Sequence, residues 1–115
     1  MQLPETTNSR ADLLKSVWEQ IRTRLEGARS RIYEEIRNYP RPIPACDQQF
    51  NYLLEERARV CGELDRVDEV LREGLWRSDP VQRIEAFLQS SGCIDSGAQQ
   101  AIRSSLKEAF SGPVA

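Results

Sequence analysis

Histidine is missing from this 115-residue chain, and its absence excludes more than any single residue present suggests. Without an imidazole the chain contains no Ser-His-Asp or Cys-His catalytic arrangement, no two-His zinc site and no Glu-x-x-His di-metal bundle. Cysteine is also scarce. Cys46, Cys61 and Cys93 are widely spaced with no CxxC, which gives neither a zinc ribbon nor a thioredoxin-like pair. The six glycines are scattered and build no phosphate-cradling loop. Two tryptophans, three tyrosines and three phenylalanines leave a small domain with a narrow, aliphatic core.

Two further absences bear on location. No apolar run approaches the length of about 18 residues that a membrane-spanning helix needs. The start, MQLPETTNSRADLL, has no basic region followed by an apolar one, so no secretory signal is expected. Three unpaired thiols in such a chain point to the reducing cytoplasm. The net charge of −2 gives no general electrostatic reason to bind nucleic acid.

What is present is helical periodicity. Residues 1–8 are polar, contain Pro4 and show no period, so a flexible leader is expected. A single helical domain should fill 9–115. Ser9 and Asp12 resemble a capping box. After them Leu14, Trp18, Ile21, Leu25, Ala28, Ile32 and Ile36 recur at steps of three and four, a heptad-like seam. Pro40 ends it. The segment PRPIP, with three prolines at alternate positions, forms a stiff, non-helical tip over 40–46. Asp47 is placed to cap a second helix carrying Phe50, Leu53, Arg57, Val60, Leu64, Val67 and Leu71.

The two seams fit each other. In an antiparallel hairpin, facing residues have numbers with a nearly constant sum. Leu14 with Leu71, Trp18 with Val67, Ile21 with Leu64, Leu25 with Val60, Ala28 with Arg57 and Ile32 with Leu53 obey this, and the midpoint falls between Pro42 and Ile43. Periodicity and turn chemistry therefore specify one hairpin over 9–77.

Two shorter helices follow, at about 79–90 and 96–111. Asp79-Pro80 supplies an N-cap and a first-turn proline, and Val81, Ile84, Phe87 and Leu88 make the apolar face. Ser96 with Gln99 is read as the start of the last helix, which Gly112-Pro113 ends. Leu13, Val17, Leu75 and Trp76 widen the apolar stripe at the hairpin's open end, so the short helices should dock there. The fold class is all-α: a long, coiled-coil-like antiparallel hairpin with two short C-terminal helices packed at its open end.

Functional signals are few. The tip residues Tyr39, Arg41, Ile43 and Cys46 are the candidate partner-binding site, a rigid and partly apolar knob beside a helix start. Arg57 interrupts the seam opposite Ala28. The plain reading is an arginine snorkelling toward Glu26 or Glu56; the sharper one is a register or assembly device made by Arg57 and Ala28. Pairs such as Glu55–Arg59, Asp68–Arg72 and Glu73–Arg77 are expected on the solvated faces. Glu34–Glu35 and Glu55–Glu56 are adjacent on a helix and diverge by about 100°, so no converging acid pair is expected. The sequence thus predicts a non-catalytic helical protein–protein interaction module, an adaptor or regulatory subunit, with no cofactor or metal and with a protein partner. It should be a homodimer joined through the hairpin. The alternatives are a nucleic-acid-associated regulator using Arg22, Arg29 and Arg37 on helix one, and a redox switch at Cys46.

Overall fold

The two runs of three-and-four spacing fold as two long helices. The computed structural model describes residues 10–40 and 47–111, with α1 over Arg10–Arg37 and α2 over Gln48–Glu73. A 3-10 turn over Leu75–Arg77 leads to α3 (Pro80–Ser90) and α4 (Ser96–Ser111), and no strand occurs among the described residues. The protein is an all-α hairpin with two short helices packed on it. The expected leader, Ser9, and the tip residues Arg41, Ile43 and Cys46 lie outside the described residues.

Local chemistry sets the helix ends. Asp47 has extended backbone, and its Oδ1 accepts the Phe50 N–H at 2.9 Å, satisfying one orphan donor of α2. Gly74 closes α2 at φ 71°, a left-handed conformation favouring glycine, and its N–H donates to the Val70 carbonyl. Two expected caps are corrected. Asp79 occupies the cap position of α3 but makes no side-chain capping bond; it is held at φ 44° before Pro80, which disfavours right-handed helix for its neighbour. Asp95, not Ser96, caps α4, its Oδ1 accepting the Ala98 N–H at 2.7 Å. Gln99 is engaged elsewhere, donating to the Leu88 and Ile94 carbonyls at 3.0 and 3.1 Å.

Because Asp79 sits in left-handed backbone, a β-branched residue there should strain the chain. Asp79→Val is expected to destabilise by about 1–2 kcal/mol, and Asp79→Gly to stay within about 0.5 kcal/mol of wild type. Urea midpoints check this. A valine variant as stable as wild type would contradict it.

The core lies where the four helices meet. Leu14, Val17, Trp18, Ile21, Leu25 and Ala28 of α1 pack with Val60, Leu64, Val67 and Val70 of α2. Ile84, Phe87 and Leu88 of α3, Ile94, and Ala98, Ile102 and Leu106 of α4 complete it. The Arg10 guanidinium donates to the Ala109 carbonyl, which fixes the C-terminal end of α4 beside the start of α1. Leu13 and Val81 do not join the core and remain exposed. The charged flanks also pair differently from expectation: Arg59 with Glu56, Asp68 with Arg22 across the hairpin, and Arg72 with Glu73.

Toward the tip there is no third layer. Leu53 is buried, while Ile32, Ile36 and Phe50 are half-buried. The radius of gyration is 17.6 Å and the extents are 60 × 30 × 25 Å. A compact chain of this length would have a radius near 13 Å. The difference is the projecting arm.

Candidate partner-binding surface

The base of the tip is built from both helix ends. The Tyr39 hydroxyl donates to Asp47 Oδ1 at 2.8 Å, the same oxygen that caps α2, and the Tyr39 ring packs on Phe50 at 5.3 Å. The bond to Asp47 holds the Tyr39 phenol above its usual pKa, because the protonated form is the donor. Tyr39 is thus a brace as well as a half-exposed surface. A groove of about 470 Å³ opens beside it, lined by Glu34, Asn38, Tyr39, Pro40, Gln49 and Leu53.

Further down the arm, Tyr33 and Tyr52 are 43% and 54% exposed. Arg57 is exposed and lines a second groove with Tyr33, Ile36 and Arg37, whereas Ala28 is buried. The seam passes from Leu53 to Val60 with Glu56 half-buried between them, which displaces Arg57 from the buried line. The acids expected to receive it are taken, Glu26 by Arg22 and Glu56 by Arg59. Arg22 also donates Nε to Asp68 at 2.6 Å, tying α1 to α2, and Arg37 pairs with Glu34 at 2.9 Å. The proposed arginine face of helix one is therefore largely neutralised within the hairpin.

One polar centre escaped sequence reading. Glu63 is 3% exposed, and its carboxylate accepts from the Ser91 hydroxyl at 2.7 Å and the Gly92 N–H at 3.0 Å. Ser91 Oγ in turn accepts the Cys93 N–H at 3.2 Å. Gly92 packs closely here, since a Cβ would lie 3.2 Å from Arg59 Cδ and the arginine side chain would have to shift. The arrangement latches the α3–α4 link onto α2. Burial, followed by the Glu63 charge, pushes the Cys93 thiol up to about 12. At pH 8 roughly one Cys93 in ten thousand is then thiolate, so its alkylation in the native protein should be at least about 100-fold slower than after unfolding. Equal rates would show that the thiol is not held in this way.

Two other concavities flank α4. One of about 660 Å³ runs between α1 and the link, past Arg24, Gly27, Arg31 and Cys93. The other, about 480 Å³, lies between Val81, Glu85, Arg103 and Leu106. Among the described residues no group of three or more histidine, cysteine or acidic side chains could hold a metal ion, and no helix is long and apolar enough to cross a membrane. Comparison with protein-family models, curated proteins and solved structures finds no match to this chain.

Proposed function

We propose that the protein is a non-catalytic helical interaction module, an adaptor or regulatory subunit of the cytoplasm. It presents the projecting arm of its hairpin to a protein partner and works as a homodimer associated through that hairpin. The observation carrying this reading is the arm itself: the part of the hairpin nearest the tip extends past the α3–α4 packing and exposes Tyr33 and Tyr52. Apolar surface kept on a stiff two-helix projection costs stability in isolation and is recovered when a partner covers it. The Tyr39–Asp47–Phe50 brace ties together the two helix ends at the base of the tip, which reduces the entropy lost when a partner docks on the arm. The free thiols of Cys61 and Cys93 fit a reducing compartment. The neutralised Arg22 and Arg37 weigh against phosphate binding by helix one.

The test is affinity purification of the full chain from its native host, comparing wild type with an Arg41→Glu/Ile43→Asp variant. The variant should melt like wild type and lose its partner. Equal partner recovery would reduce the tip to a turn.

A further inference from the structure

The hairpin has two flanks, and α3 and α4 cover one of them. On α2, Arg59 and Glu63 face the α3–α4 link. Cys61 is two residues from Glu63, about 200° around the helix, on the opposite flank. There the Tyr33 hydroxyl lies 3.8 Å from Cys61 Sγ, and Arg22 bonds Asp68. This open flank is electrically divided. On α2 it carries Arg57 toward the tip and Asp65 toward the open end, Arg29 of α1 lies near the level of Cys61, and Glu26 and Asp68 are both engaged by Arg22. Arg29, Arg57 and Asp65 take part in no ion pair among the described residues.

We propose that a second copy of the chain packs on this flank, its tip pointing the opposite way, about a twofold axis passing at Cys61. Arg57 and Asp65 lie four residues either side of Cys61, so each Arg57 meets Asp65 of the other copy. The Arg22–Asp68 bond and the Tyr39–Phe50 contact place Ala28 and Arg29 of α1 at the level of Cys61. With the tips pointing the same way, Arg57 would instead face α1 at the level of Ile32 and Tyr33 and lose its acidic partner. The antiparallel arrangement is isologous, closes as a dimer and covers Tyr33.

This inference rests on the self-association proposed above and adds its face and register. The test uses the full chain with Cys46→Ser and Cys93→Ser, leaving Cys61 as the single thiol. Sedimentation equilibrium should show a dimer, and a short bis-maleimide should join the two Cys61 residues. Arg57→Asp should weaken the dimer by about tenfold or more, and adding Asp65→Arg should restore it. A dimer that ignores Arg57→Asp and does not cross-link at Cys61 overturns this face while leaving self-association standing. A protein that stays monomeric at every concentration overturns both and leaves the flank to a different partner.

Discussion

Replacing Trp18 with alanine is expected to cost about 3–5 kcal/mol, a large part of the stability of a domain this size. Trp18 is 1% exposed and joins three layers. Its ring meets Phe87 of α3 edge-on, with centroids 5.6 Å apart and planes at 76°. Ile21, Leu25, Ile84, Leu88 and Ile102 are equally buried in the same core, so little can collapse into the space left behind. The indole nitrogen is buried without a hydrogen-bond partner among the described residues, so the residue acts through shape and apolar area. Trp18→Phe removes that orphan donor and should cost much less, about 1–2 kcal/mol. Urea unfolding of the three proteins gives the comparison. An alanine variant within about 1 kcal/mol of wild type would mean that α3 is not seated on the hairpin through Trp18.

Glu63→Leu should cost about 3 kcal/mol although it replaces a buried acid by an apolar residue of similar size. The loss comes from the partners. The Ser91 hydroxyl and the Gly92 N–H would be left in a half-buried place without their acceptor. Glu63→Gln keeps one acceptor oxygen and should fall between leucine and wild type. Two readouts separate a loosened link from general destabilisation. Amide exchange at 91–93 should accelerate more than in α1, and Cys93 should alkylate faster as its pKa falls with the Glu63 charge removed. A leucine variant that is neutral, with slow Cys93 chemistry, would show that burial alone holds the link.

The contrast between the seam and Glu63 explains how far the sequence could be read. Leu14 to Ile32 and Leu53 to Leu71 follow one helical period, and Asp47 carries its cap chemistry in its own identity, so both helices were legible. Their register was not, since the Arg22–Asp68 and Tyr39–Phe50 contacts set it four to five residues away from the expected pairing of Ala28 with Arg57. Arg57 misled because a strict three-four count drifts against the true helical repeat, and the burial line had moved past it. Ser96 and Asp95 both suit a cap. Only the tertiary demand on Gln99, which bonds the Leu88 and Ile94 carbonyls, decides between them. Glu63 was invisible because its partners are some 28 residues away in a link read merely as a helix stop. The one available signal was an acid set among Val60, Leu64 and Val67, next to a serine-glycine link that needs an acceptor. The charged flanks were legible, but their partners depend on rotamers and on the cross-hairpin register, which composition does not contain.

Amide hydrogen exchange of the full chain, followed at protein concentrations either side of self-association, tests most directly whether the arm is the surface this protein uses. Protection should rise on association along 26–36 and 54–65, while α3 and α4 exchange at unchanged rates. A rise confined to α3 and α4, or no change at any concentration, would contradict the account.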